Sequence, residues 1–379
     1  MRLVATRRLE VGAVLARDVL IGSARDRALL REGVQITQRY KQALLEGGFN
    51  AVYVKDALSA DIEVTPALSE KTRAQATHAL SQAFKGLPAG APPGTRMTSQ
   101  AVDELTRVAA LIADEIAGSG QAVVALSDLA AADAYTLQHS IDVCAVGLMI
   151  AKRLFDENGR VDFRGHRVFD RQEQWLAKLG VGLMLHDVGK MAIPIDVLNK
   201  PGKLDADEWE MVRRHPTIGL ELLSSDTISP LIKAVVRSHH ERWDGQGYPQ
   251  GLVGAKIPHF ARIAAVADVF DAVTSERPYK PAAAQHVGHE IVNQGAGTQF
   301  DAEVVGFFNQ VVAPWPPGDE IELADGRRGV VISCPSGHLD KPLVRVGYAA
   351  DGTPAEPEEV DLLEHPELAP RTALAAVAA

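Results

Sequence analysis

The stretch His186-Asp187-Val188-Gly189-Lys190, then His215-Pro216, then His239-His240-Glu241-Arg242-Trp243-Asp244-Gly245-Gln246-Gly247-Tyr248-Pro249, decides how this chain is read. Working outward, His139 lies upstream, and Asp268 follows in Ala267-Asp268-Val269-Phe270-Asp271-Ala272. A lone histidine on a helix is usually packed or solvated. Here five imidazoles and two carboxylates recur in one helical region, enough donors for two divalent ions. Neutral imidazole nitrogen and carboxylate oxygen suit Fe, Mn, Zn, Co or Ni better than Ca or Mg. The adjacent His186 and Asp187 can face different ions with the carboxylate bridging, and His239 and His240 can converge where the backbone turns at a helix end. Two ions roughly 3.5–4 Å apart clamp a phosphoryl oxygen and acidify a bridging water, so the predicted chemistry is metal-assisted hydrolysis of a phosphoester.

The bulk properties set limits on partners. The 379 residues are 46% apolar and 23% charged, the balance of a protein with a sizeable core. A net charge of −10 argues against a general nucleic-acid coat or an anionic-membrane binder, while leaving room for a local basic pocket. Cys144 and Cys334 stand far apart, which suits a reduced, intracellular protein. Glu10 interrupts the N-terminus before any apolar signal region, and no apolar run reaches membrane-spanning length. The expected location is cytoplasmic.

Periodicity predicts a mainly α protein in four parts. Residues 1–62 read as a small α+β module, with a hairpin around residues 14–30, Thr37 capping a helix through Leu45, and a strand over Ala51–Val54. Residues 63–126 read as linking helices. One covers 64–86, and the other is amphipathic through Met97, Ala101, Leu105, Val108, Ile112 and Ile116, suited to packing on the next domain or to a dimer contact. Residues 127–313 read as the helical catalytic domain. Within it Asp205 and Glu208 imitate a capping box, Ser229-Pro230 starts a helix, and residues 179–185 fit helix or buried strand. Residues 156–172 read as an inserted surface hairpin with His166 in its loop. Residues 314–379 read as an appendage of three or four strands, with a mobile stretch from Gly352 and a mobile Ala-rich end from Arg371.

The series His139, His186-Asp187 and Asp268 resembles the HD superfamily of metal-dependent phosphohydrolases. His215, His239-His240 and Gly247-Tyr248-Pro249 resemble its HD-GYP branch, with further matches at Lys190, Ile193-Pro194, Lys200-Pro201-Gly202, Glu208, Gly251-Leu252 and Arg277-Pro278-Tyr279-Lys280. The resemblance spans about residues 127–312 and implies an HD-type all-helical fold that hydrolyses cyclic di-GMP to linear pGpG or GMP. It implies one metal on His139, His186, Asp187 and Asp268, and a second on bridging Asp187 with His215, His239 and His240. Iron is implied, with manganese as the alternative. Asp187 and Lys190 are the expected catalytic groups; Lys190, Tyr248, Asp271, Arg277 and Lys280 are the expected substrate contacts. Asp271 shares a helix face with Asp268 and is placed to orient Lys190 or a base. The resemblance also implies a diguanylate cyclase-type partner at the Gly-Tyr-Pro loop and allows a homodimer. Some members of the branch carry a Glu four residues before the first His, which recruits a third metal; Tyr135 stands there, which implies two. Three other readings are another cyclic or linear dinucleotide as substrate, an HD-fold di-iron oxygenase using the same ligands for O₂ chemistry, and a non-catalytic regulator that binds cyclic di-GMP or docks a partner. The last predicts missing ligands, and all seven are present.

Overall fold

Alternating apolar residues in the N-terminal module build strands β1 (Arg2–Ala5), β2 (Val14–Leu15), β3 (Val19–Leu20) and β4 (Ala28–Leu30), then helix α1 (Gln38–Glu46) and strand β5 (Ala51–Lys55). This computed structural model describes residues 1–20, 28–47, 49, 51–87, 94–118, 135–162, 164–200, 202–275 and 282–373. β1, β5 and β2 form an antiparallel sheet, and β3 pairs with β4 as the expected hairpin. The Thr37 hydroxyl accepts the Tyr40 N–H at 3.2 Å and starts α1, which ends at Gly47.

The helical body follows: α2 (Glu70–Lys85), α3 (Ser99–Gly118), α4 (Tyr135–Asn158), a hairpin of β6 (Arg160–Val161) and β7 (Arg167–Val168), then α5 (Gln172–Leu185). Next come α6 (Ile195–Leu198), α7 (Ala206–Arg213), α8 (His215–Leu222), α9 (Pro230–Ser238), α10 (His259–Thr274), α11 (Gln285–Gln294) and α12 (Ala302–Val311). One hydrophobic core runs from Leu68 to Val312, so α2 and α3 share it with the helices that follow. The apolar stripe of α3 faces inward, with Leu105, Val108 and Ile112 buried.

The ambiguous run 179–185 is helical, within α5. Its residues are buried all round, which erases the helical period from the sequence. Gly180 and Gly182 permit this: a Cβ would lie 2.8 Å from the Ala109 Cβ of α3 at one, and 2.9 Å from Val235 of α9 at the other. A buried ion pair of 2.7 Å between Arg73 and Asp142 joins α2 to α4, the helix carrying His139. Loop 156–172 forms the expected hairpin, and His166 on it is exposed.

The tail departs from expectation. β8 (Glu320–Leu323), β9 (Arg328–Ser333), β10 (Leu343–Tyr348), β11 (Pro354–Asp361) and β12 (Pro370–Ala373) form one five-stranded sheet, ordered β11-β10-β9-β8-β12. The stretch from Gly352, expected to be mobile, therefore supplies an edge strand, and Arg371–Ala373 of the expected mobile end lies in the other; residues 374–379 lie outside the described residues. Composition misled because an edge strand needs backbone pairing rather than apolar side chains. Its glutamates point to solvent, and Arg345 and Arg327 pair with Glu359 and Glu358.

The first and last modules pack on each other. The Leu3 N–H donates to the Gly318 carbonyl at 2.9 Å, and Arg2 pairs with both Asp56 (2.7 Å) and Glu320 (2.8 Å). Leu58, Ile62 and Val330 close a small apolar cluster across the seam.

Asp319, beside this seam, is half-buried, and burial pushes its pKa up to about 7. Its ordinary value in the unfolded chain is 3.8, so the folded state holds the proton more tightly. Its stabilising contribution is therefore full below pH 3.8 and is lost as pH rises towards about 7. Asp319→Asn is expected to raise stability at pH 8, on the order of 2 kcal/mol, and to leave it nearly unchanged at pH 4. Thermal unfolding at the two pH values measures the difference, and an equal effect at both would contradict the assignment.

Candidate metal centre

Four helix ends and two helix interiors bring the seven predicted ligands together. α4 carries His139 and α10 carries Asp268. His186 caps the C-terminus of α5, Asp187 precedes the 3-10 turn Val188–Ala192, His215 opens α8, and His239 caps the C-terminus of α9 with His240 next. Gly189 makes this crossing possible, because a Cβ there would overlap the His215 carbonyl oxygen.

The donors fall into two groups, His139, His186 and Asp268 in one and Asp187, His215, His239 and His240 in the other, each with its ligand atoms within 4.8 Å. Asp187 joins them. Its Oδ2 lies 3.3 Å from His186 Nε2 and 3.7 Å from His139 Nε2; its Oδ1 lies 3.2 Å from His215 Nε2 and 3.8 Å from His239 Nε2. Asp268 Oδ1 lies 3.3 Å from His139 Nε2, and its Oδ2 lies 3.9 Å from His240 Nδ1. Donors bound to one ion at ~2.1 Å sit roughly 3–4.2 Å apart, so these separations fit divalent metals.

Hydrogen bonds on the far side of the rings fix their tautomers. Nδ1 of His186 donates to the Leu183 carbonyl at 2.7 Å, Nδ1 of His215 to Val212 at 2.7 Å, and Nδ1 of His239 to Val236 at 3.0 Å. Their Nε2 lone pairs therefore point into the cluster. Nε2 of His215 and His239 face each other at 3.2 Å, and His186 Nε2 and Asp187 Oδ1 are buried with no hydrogen-bond partner. Lone pairs aimed at one another in a buried space repel unless a cation lies between them, which is the test a metal centre should pass.

The charge states agree. Burial lowers the pKa of His215 and His239, and drives that of His240 down to about 3, so all three are neutral imidazoles. Burial would raise Asp187, but Lys190 and His186 outweigh it and hold the carboxyl well below its usual range. Asp268 is likewise held low, chiefly by its hydrogen bond to His139 against the cost of burial. His139 runs the other way: burial opposes its charge, yet Asp268 and Asp271 push its pKa up to about 10. The pocket between those carboxylates demands a positive charge, which a metal ion can supply in place of the proton.

Lys190 Nζ sits 2.5 Å from Asp187 Oδ2 with its side chain about one-third exposed, beside the cluster as expected. Tyr248 stacks on His240 at 4.7 Å, in the loop that borders the site. Asp271 is placed differently from the expected substrate contact. It is fully buried behind His139, accepting Nδ1–H at 2.6 Å and the Ser275 hydroxyl at 2.8 Å. It orients a ligand rather than Lys190, because three residues beyond Asp268 on α10 is one helical turn deeper. Arg277 and Lys280 lie outside the described residues.

Sequence reasoning gave no role to Glu241, which proves central to the loop. Buried beside the His pair, its carboxylate accepts the Gln250 N–H at 2.7 Å and the Leu252 N–H at 2.9 Å. Gly247 completes the fold-back, since a Cβ would overlap the Arg242 backbone nitrogen. The available signal was a carboxylate directly after the His pair, in a segment too glycine-rich to be helical.

Residues 165–304 match the HD domain. The cyclic di-GMP phosphodiesterase PA4108 of Pseudomonas aeruginosa is 37% identical over 268 residues, covering 69% of this chain and 60% of that protein. The cyclic di-GMP phosphodiesterase response regulator RpfG of Xanthomonas campestris pv. campestris is 50% identical over 123 residues, 32% of each. The 3′3′-cGAMP-specific phosphodiesterase 2 of Vibrio cholerae is 45% identical over 124 residues, 32% of this chain and 24% of that one. The chain thus spans less than two thirds of the length of these relatives. Its fold and site define a helical HD-domain protein. Within that class, the chain belongs to the HD-GYP family. Among the described residues, no helix is long and apolar enough to cross a membrane.

Removing the Glu241 carboxylate leaves two backbone donors buried without an acceptor. Glu241→Ala is expected to cost about 2–3 kcal/mol of stability. It should also abolish hydrogen-exchange protection at the Gln250 and Leu252 amides while α5 stays protected. Unchanged exchange at those two amides would remove Glu241 from this role.

Proposed function

We propose that this protein is a two-metal phosphodiesterase that hydrolyses cyclic di-GMP to pGpG, GMP or both. The observation that carries the reading is the placing of the two Asp187 oxygens, each toward a different group of imidazoles. The relatives named for cyclic di-GMP hydrolysis support the substrate. The relative named for 3′3′-cGAMP favours a second reading, a hybrid cyclic dinucleotide.

His139, His186, Asp187 and Asp268 would hold one ion, and Asp187, His215, His239 and His240 the other, with iron preferred and manganese as the alternative. When bound, the ions supply Lewis acidity and a water acidic enough to attack phosphorus near neutral pH. The protein's own groups do the rest. Asp187 keeps both halves of the centre in register, and Asp271 holds the His139 ring. Lys190, half-free beside Asp187, balances the negative charge that develops on the phosphoryl oxygens. Arg277 and Lys280 supply further cationic contacts to the substrate's phosphates. The exposed Val253, in the loop after Tyr248, suits docking of the diguanylate cyclase-type partner that the family implies.

Replacing both His186 and Asp187 by alanine is expected to abolish hydrolysis of cyclic di-GMP and lower bound metal below one ion per chain. Chromatography of products and metal analysis on the same anaerobic sample test this, and full activity in the double variant would refute it. Wild-type hydrolysis of 3′3′-cGAMP but not cyclic di-GMP would select the second reading. Tyr135→Glu is expected to raise bound metal from two ions towards three. A count that stays at two would show that this position does not set the stoichiometry.

A further inference from the structure

Among the seven ligands His139 alone precedes α5 in the chain, and it stands close to the start of α4 at Tyr135. Early helical turns are the least held, because their first amides lack partners within the helix. The turn that carries His139 is fixed from outside α4. Asp142, three residues further on, is 4% exposed and uses both carboxylate oxygens. Its Oδ1 accepts an Arg73 guanidinium N–H at 2.7 Å, and its Oδ2 accepts the Gln138 side-chain amide at 2.7 Å. Arg73 belongs to α2 and is 6% exposed. The next residues that α2 buries are Ala76, Ala79, Leu80 and Ala83. A face rich in alanine packs closely but offers few ridges to set how far one helix slides along another.

A buried ion pair adds little net stability over apolar residues of the same size, and its better use is to fix register. We propose that Arg73 is a positioning residue of the metal centre, acting through Asp142 to hold the turn of α4 that bears His139. The proposal rests on the two-metal reading of the site and not on its substrate. Asp271 sets the rotation of the His139 ring through Nδ1, whereas Arg73 sets where the backbone carrying that ring stands. The dependence is one-sided. His139, His186 and Asp268 include a ligand from α4, while Asp187, His215, His239 and His240 include none. Loss of the Arg73–Asp142 pair therefore falls on the first group and spares the second.

Calorimetric titration of the metal-free full chain with Mn²⁺ tests this. The pair is removed as Arg73→Met/Asp142→Leu, so that no lone charge stays buried. In the otherwise native chain the double change is expected to weaken one Mn²⁺ site about tenfold or more, the usual cost of losing a group that orients a ligand, and to leave the other within about twofold. Adding His215→Ala isolates the His139 half, where the weakening should appear; adding Asp268→Ala isolates the other half, where it should not. Arg73→Lys, which keeps the charge, should retain most of the binding. Thermal unfolding of the metal-free variants separates this role from a merely structural one, which would lower the melting temperature and weaken both sites together. Two unchanged Mn²⁺ sites in the double variant, or equal weakening of both, would overturn the proposal. Hydrolysis of cyclic di-GMP is followed on the same samples. One-sided weakening in a chain whose wild type does not hydrolyse sinks the phosphodiesterase reading and leaves Arg73 in its role; hydrolysis with unchanged Mn²⁺ binding in the double variant does the reverse.

Discussion

A single buried carboxylate is the constraint on which the rest of this structure depends. Asp187 is 5% exposed and ionised, and an uncompensated charge in such a place costs several kcal/mol. Its neighbours compensate it unevenly, with Lys190 and His186 contributing most. Lys190 reaches one oxygen, while the imidazoles around the other are neutral and turn lone pairs toward it. The cluster is therefore electrostatically frustrated as a set of protein groups alone. Divalent cations would resolve that frustration, and would also satisfy the two carboxylates that hold His139.

The fold's contribution is to make this frustration rigid. Each of His186, His215 and His239 is clamped by a carbonyl three residues earlier, at a place where a helix begins or ends. Carbonyls in a last helical turn lack the usual amide partner four residues on, so each can accept a ring N–H bond that fixes the ring. The close crossing at Gly189 and the all-round burial of residues 179–185 in α5 then hold the helix ends together. Function and stability are coupled here through backbone geometry rather than through added side-chain contacts.

That coupling explains what could be read in the chain. The ligand series was legible because metal donors are chemically unusual and five of the seven, all but His139 and Asp268, sit at a helix boundary. The caps at Thr37, Asp205 and Ser229 were legible for the same local reason. Asp271 was found but misassigned, because one turn of helix separates a ligand from the group behind it, and the period alone does not say which is deeper. The helical state of residues 179–185 was hidden because a helix buried on every side has no polar face. The glutamate-rich strand β11 was hidden because backbone pairing to β10 leaves no trace in composition. The seam between the first and last modules joins residues more than 300 positions apart, Arg2 and Glu320 among them, and no local pattern announces it.

The same division bears on substrate choice. On the proposed reading the metal ligands would recognise what all phosphodiesters share, an anionic oxygen beside a leaving oxygen, and so could not by themselves separate one cyclic dinucleotide from another. Discrimination has to come from walls that touch the bases. On the proposed reading those walls would be α7, held by its own capping box, and the loop pinned by Glu241, which also rests on His240 through Tyr248. Glu241 carries this argument furthest: it follows the ligand pair in the chain, yet its bonds run to the loop that bears Tyr248. Gln246 and Trp209 line the cavity beside the metal centre without touching Asp187, whereas a change at Glu241 releases the Gln250 and Leu252 amides of the loop that follows Tyr248. Substrate preference can thus be set apart from the ligand series, and the relatives of this chain are named for different cyclic dinucleotides.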